Sequence, residues 1–136
     1  MSSLVLDASV ALSWFLRDES DAYADGVLAM LEYKEASAPC LWLLEICNAL
    51  TVLERRGRIN EAETARVLSL VRNLPIEMDD SPLAETIERI TSLARRFKIS
   101  AYDASYLELA IRQGLPLATL DRTLKSVAKR AGVPTA

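Results

Sequence analysis

The sequence predicts an α/β fold, a parallel β-sheet flanked by helices, and three observations carry that assignment. Leu4-Val5-Leu6 is apolar at consecutive positions, as in a strand buried on both faces, and helical spacing begins directly after it. Leu117-Ala118-Thr119-Leu120 repeats this arrangement near the other end of the chain. Each run ends in an aspartate, Asp7 or Asp121, at the carboxyl edge of a strand beside a helix start, where open parallel sheets bind ligands. Short apolar runs alternating with helical segments between them complete the α/β pattern.

The elements follow in order. After the first strand, Val10, Ala11, Trp14 and Phe15 recur at helical spacing. Asp18-Glu19-Ser20-Asp21 is a polar link, and residues 22–33 read as a second helix through Val27, Leu28, Met30 and Leu31. Ser37-Ala38-Pro39 is a break with a brief strand before it. Residues 41–56 form a long helix, apolar nearly all round, with Gly57 as its C′ residue. Asn60 and Glu63 have capping-box spacing and open a helix to about Arg72. Residues 75–78 suit a short strand. Ser81-Pro82 reads as a cap with proline at the first helical position, and that helix runs to Phe97. Ser100 opens the next helix and Gly114 closes it. A basic amphipathic helix follows Asp121, and Val133-Pro134 suits a last short strand.

The chain has 136 residues, the size of one domain, and is 51% hydrophobic, enough for a core without disulfides. Cys40 and Cys47 have no zinc-site company, and their apolar context predicts buried thiols in a reducing compartment. No leader-like start and no membrane-length apolar run is visible, so a soluble cytoplasmic protein is expected. The net charge of −3 argues against coating nucleic acid by charge alone. The charge is uneven, however: residues 1–50 carry −6 (eight acids, two bases) and residues 51–136 carry +3 (eleven acids, fourteen bases). After Asp121 only bases occur, Arg122, Lys125, Lys129 and Arg130; they suit a solvated helix face or a short phosphate-contacting patch. There is no histidine. Ser-His-Asp, Cys-His and imidazole acid–base catalysis are therefore excluded, and any metal site must be built from oxygen, which favours Mg²⁺ or Mn²⁺ over zinc.

Four carboxylates stand out. Asp7 and Asp121 end buried strands, although each also suits a helix N-cap. Glu45 lies in Leu41-Trp42-Leu43-Leu44-Glu45-Ile46-Cys47-Asn48-Ala49-Leu50, where an unpaired buried carboxylate would cost several kcal/mol. It must reach solvent, a cation or a metal. Asp103 has capping-box spacing from Ser100 and heads a stripe of Leu107, Ala110 and Ile111, so it is expected to point toward the sheet. Thr119, two residues before Asp121, is expected on the same side of the strand. One pocket of such acids would be self-repulsive, with raised pKa values, unless a divalent metal relieved it. Trp14, Phe15 and Trp42 are candidates for a partner-binding face, with core packing the better assignment for any one of them.

The segments Val5-Leu6-Asp7-Ala8-Ser9-Val10, Glu45-Ile46-Cys47-Asn48-Ala49-Leu50, Tyr102-Asp103-Ala104-Ser105-Tyr106-Leu107-Glu108-Leu109-Ala110 and Leu117-Ala118-Thr119-Leu120-Asp121 resemble, in order, the motifs of the PIN-domain family and its VapC-type toxins. The resemblance spans nearly the whole chain. It implies a three-layer α/β/α sandwich with a central parallel sheet, over residues 1–136 as one domain. It also implies an Mg²⁺- or Mn²⁺-dependent endoribonuclease that cuts RNA, a small cognate antitoxin and a homodimer. By position, Asp7, Glu45, Asp103 and Asp121 would be the catalytic, metal-holding acids, with Ser9, Asn48 and Thr119 in support. Some family members carry a further acid or amide just after the last aspartate, where this chain has Thr123 and Lys125. That leaves open the number of metals bound. Arg122 and Lys125 are possible phosphate contacts.

Two rival readings fit the same residues. An aspartate-based phosphatase or phosphoacceptor domain would use a strand-end nucleophile. A haloacid-dehalogenase-like site wants a second aspartate where Ser9 stands, and a receiver-like site wants paired acids where Leu6 precedes Asp7. The other rival is a catalytically silent module that binds RNA or protein.

Overall fold

The structure, a computed structural model, describes residues 2–16 and 21–136. The polar link expected over Asp18, Glu19 and Ser20 lies outside the described residues. Four strands, β1 (Ser2–Leu6), β2 (Glu35–Ala38), β3 (Ile76–Met78) and β4 (Leu117–Ala118), form one parallel sheet in the order β3-β2-β1-β4. Leu4, Val5 and Leu6 are all fully buried. Successive strand residues face opposite sides, so both faces of β1 are covered, and the three-layer arrangement follows.

The helices among the described residues are α1 (Ala8–Phe15), α2 (Ala22–Met30), α3 (Leu41–Arg55), α4 (Glu61–Arg72), α5 (Leu83–Phe97), α6 (Ala101–Gln113) and α7 (Arg122–Arg130). Their starts follow local chemistry. Asn60 accepts from the Glu63 amide, Ser100 from the Asp103 amide, and Asp121 from the Leu124 amide. Gly57 and Gly114 follow α3 and α6 with positive φ, the backbone state that glycine adopts without a Cβ penalty. No helix among the described residues is long and apolar enough to cross a membrane.

The chain order sets the site. β2 and β3 step outward on one side of β1, and β4 lies on the other. The direction of winding therefore reverses between β1 and β4, and the crevice of an open α/β sheet lies beyond the carboxyl ends at such a switch. The Asp7 amide donates to the Ala118 carbonyl across this gap (2.9 Å), locking the two strand ends together.

Several expectations need correction. α5 starts one residue late, with Pro82 rather than Ser81 at its cap and no side-chain bond there. β4 stops at Ala118, so Thr119 and Leu120 lie beyond the strand. The last strand shrinks to an isolated bridge between Leu117 and Thr135. α3, apolar nearly all round in sequence, buries one face only: Trp42, Ile46 and Leu50 face the core while Leu43 and Leu44 are exposed, because the other face has no cover. Cys40 and Cys47 lie on exposed positions of or beside that helix, so the buried-thiol expectation fails for the same reason. Ile111 is exposed rather than continuing the stripe of Leu107 and Ala110. For the three aromatics the better assignment, core packing, holds: Trp42 is a core residue, and Trp14 and Phe15 pack against the core.

Candidate active site

Asp7 is the buried centre of the site, 6% exposed at the end of β1. It occupies the N-cap position of α1, yet its side chain makes no capping bond. Instead Ser9 Oγ (2.6 Å) and Thr119 Oγ1 (2.7 Å) both donate to Asp7 Oδ2. Ser9 Oγ also accepts from the Leu120 amide (3.0 Å), and Thr119 Oγ1 from the Asp121 amide (3.0 Å). The two hydroxyls thereby tie the end of β1 to the turn after β4, and their protons are committed to the aspartate. This turn exists because β4 ends early; Thr119 reaches Asp7 through it rather than through strand alternation.

Glu45 sits half-buried on α3, where Tyr106 of α6 donates its hydroxyl to Oε1. Asp103 is half-buried in the first turn of α6. Its amide is capped by Ser100, and its carboxylate has no side-chain partner among the described residues. Asp121 is exposed and caps α7 through Oδ1. A common pattern results: in Asp7, Glu45 and Asp121 one oxygen is engaged by the protein and the other has no side-chain donor.

The electrostatics show that the four acids share one locality. Burial pushes the Asp7 carboxyl up; the Ser9 and Thr119 hydroxyls oppose this, and the Asp121 charge adds to the rise. Glu45 is raised by burial and by Asp7 and Asp103, against the Tyr106 bond. Asp103 is raised by burial, then by Asp121 and Asp7. Burial, the Asp7 charge and the bond to Glu45 hold the Tyr106 phenol well above its ordinary value, so it remains a donor. None of the four carboxylates is ion-paired to lysine or arginine among the described residues.

That donor set suits a hard divalent cation: all oxygen, mutually repelling, and not ion-paired to a side-chain cation among the described residues. As the side chains stand, no three among the described residues are gathered into a closed metal-binding group. Asp7, Glu45, Asp103 and Asp121 are thus neighbours, with Ser9 and Thr119 bonded to the first. Asn48 is not brought in: it is exposed on α3, and its backbone carbonyl accepts from Thr51. Arg122 and Lys125 are exposed on α7, with Lys125 Nζ 5.4 Å from the Tyr23 ring centroid.

Two features escaped the sequence reading. Tyr106 was legible only as a member of the family-like segment from Tyr102 to Ala110. Glu108, 4% exposed, is gripped by Arg112 (3.0 Å) and Arg89 (3.2 Å), and Arg112 also binds Asp79 (2.6 Å). The Glu108–Arg112 spacing of four was visible, but the third member, Asp79, is remote in sequence. The network fixes α6, and with it Asp103, to the segment after β3.

Comparison with known proteins bears on the family and the fold. The PIN domain family model matches residues 4–130. Ribonuclease VapC3 of Pyrobaculum aerophilum is 30% identical over 121 residues, covering 89% of this chain and 91% of that protein. The crystal structure of PAE2754 from the same organism superposes with a TM-score of 0.70 at 28% identity, covering 93% of this chain and 84% of that one. A chain of a toxin–antitoxin complex from Klebsiella pneumoniae shares the fold, with a TM-score of 0.65 at 20% identity, covering 98% of this chain and 97% of its own. From the family-model match and the VapC relative together, the chain belongs to the PIN-domain family.

Proposed function

We propose that this protein is a divalent-metal-dependent endoribonuclease, the toxin of a toxin–antitoxin pair, acting in the cytoplasm as one PIN-like domain over residues 1–136. The observation that carries the reading is the buried Asp7, oriented by two hydroxyls on one oxygen and within electrostatic reach of three further carboxylates, none of them ion-paired among the described residues. Asp7 and Asp103 would be the main holders of Mg²⁺ or Mn²⁺, with Asp121 and Glu45 completing the set. A divalent cation, when bound, lowers the pKa of water and offsets charge developing on a phosphate. Ser9 and Thr119 hold Asp7 in its orientation, and Tyr106 holds Glu45. The ribonuclease name of the VapC3 relative supports RNA as substrate, and the structural likeness to a toxin–antitoxin complex supports a small protein partner. Family likeness also supports a homodimer, which a solution mass measurement decides: a monomer at micromolar concentration removes it.

The test is direct. Purified protein should cleave total RNA with Mg²⁺ or Mn²⁺ and not in EDTA, and Asp103→Asn should be inactive while folded. Cleavage that persists in EDTA, or no cleavage by the unaltered protein with any divalent cation, refutes the reading. The second result favours a silent binding module.

A further inference from the structure

We propose that the outer face of α7 and the last turn of α5 form a track that binds the phosphates of single-stranded RNA and leads away from the carboxylate cluster. The proposal rests on the ribonuclease reading for its substrate class, but on separate residues for its evidence. α7 begins at the cluster, since Asp121 is its cap, and runs about 12 Å from Arg122 to Arg130. Leu124, Val127 and Ala128 bury one side of it. Arg122, Lys125 and Lys129 therefore line the opposite, exposed side. At the far end, Arg130 meets α5. The guanidinium carbons of Arg130 and Arg96 lie 5.4 and 5.2 Å from the centroid of the same ring, Phe97. Lys98, exposed just beyond α5, adds a further cation at this end. The ring thus joins the cations of two helices into one surface.

A solvated helix face does not account for this pattern. Such faces intersperse both signs, whereas no acid follows Asp121 in the chain. Among the described residues none of these six cations is ion-paired. Cations in the last turns of α5 and α7 favour the negative helix ends, and that accounts for Arg96, Lys129 and Arg130. It does not account for Arg122, the first residue of α7, where a cation opposes the dipole. A polyanion held along the helix accounts for all of them. The acidic cluster at one end would repel the same backbone, so the track supplies attraction that the site itself lacks without its metal.

The test uses the full chain in EDTA, where binding is read without cleavage. Anisotropy of a labelled single-stranded oligoribonucleotide is measured from about 50 to 200 mM salt. Arg96→Gln/Arg130→Gln should weaken binding about tenfold or more at the low-salt end and flatten the log–log salt slope by about 1.4, or about 0.7 per lost phosphate contact. Arg96→Lys/Arg130→Lys should retain most of the slope, which separates charge from any packing of the ring. With metal restored, the glutamine variant should raise KM and leave kcat within about twofold, as loss of uniform binding requires. Wild-type affinity and slope in the glutamine variant overturn the proposal. RNA binding that is unaffected while binding of the co-expressed protein partner is lost also overturns it, in favour of a protein-docking face. If the unaltered protein cleaves RNA yet the variant binds normally, the track is wrong and the ribonuclease reading stands. If arginine-dependent RNA binding is found but no divalent ion supports cleavage, the track stands and the ribonuclease reading fails.

Discussion

Replacing Asp7 by asparagine separates a metal-holding role from a structural one. The substitution keeps the shape and retains an oxygen to accept from Ser9 and Thr119. Those two bonds pass from charge-assisted to neutral, which costs about 1 kcal/mol each. Against this, the variant no longer buries a charge at a position only 6% exposed, for which the effective penalty is several kcal/mol, and no longer repels Asp121. In EDTA the balance favours the variant by about 1–2 kcal/mol, a rise in Tm of roughly 3–6 °C for a chain of this size. With metal present the cleavage rate should fall about 10³-fold. A Lewis-acid contribution of about 4 kcal/mol at 1.36 kcal/mol per decade gives that factor. Circular-dichroism melts in EDTA and single-turnover cleavage in Mg²⁺ read the two effects. A melting point several degrees below wild type would make the carboxylate a structural anchor. Undiminished cleavage would remove Asp7 from the site.

Three further outcomes follow from the same geometry. The raised carboxyls of Asp7, Glu45 and Asp103 hold protons that the unfolded chain has already released, so metal-free stability should fall as pH rises through the window above the ordinary carboxylate range. Melts in EDTA should therefore be higher at pH 5 than at pH 7.5, less so in Asp7→Asn; an unchanged or opposite slope contradicts the burial account. Tyr106→Phe removes the donor to Glu45 and should cost about 1 kcal/mol in stability and roughly 10–100-fold in kcat; equal kcat would show that Glu45 needs no orientation. Arg112→Ala leaves the buried Glu108 with only the outward-lying Arg89 and should destabilise by about 2–4 kcal/mol, measured by urea unfolding; a change below about 0.5 kcal/mol would show the network to be incidental.

Much of the fold was legible because its signals are local. Leu4-Val5-Leu6 has no polar alternation and is buried on both faces, and Ser100, Asn60 and Gly114 mark helix ends by their own chemistry. Asp7 was legible as a strand-end carboxylate, but its choice between capping α1 and accepting from Ser9 and Thr119 was not. That choice depends on Thr119, which is 112 residues away and reaches it only because β4 is short. Tyr106 and Glu45 meet across 61 residues on two helices, and Glu108 owes its burial to the packing of α5 on α6. Pairings of this kind leave no periodicity in one sequence. The two cysteines failed for a related reason: α3 is apolar on more sides than the sheet covers, so apolar context predicted burial for thiols where the fold supplies no cover.

The most direct test of the central claim is the chemistry of the cut ends. Metal-free ribonucleases use the ribose 2′-hydroxyl as nucleophile and need a base and an acid near neutrality, a task suited to histidine, which this chain lacks. Metal-assisted hydrolysis attacks with water and leaves a 5′-phosphate and a free 3′-hydroxyl. RNA cleaved in Mg²⁺ or Mn²⁺ should be degraded by a 5′-phosphate-dependent exonuclease, and the cleavage should vanish in EDTA and be poorly supported by Ca²⁺. Fragments that resist the exonuclease and carry 2′,3′-cyclic phosphate would contradict the account, whatever RNA is cut.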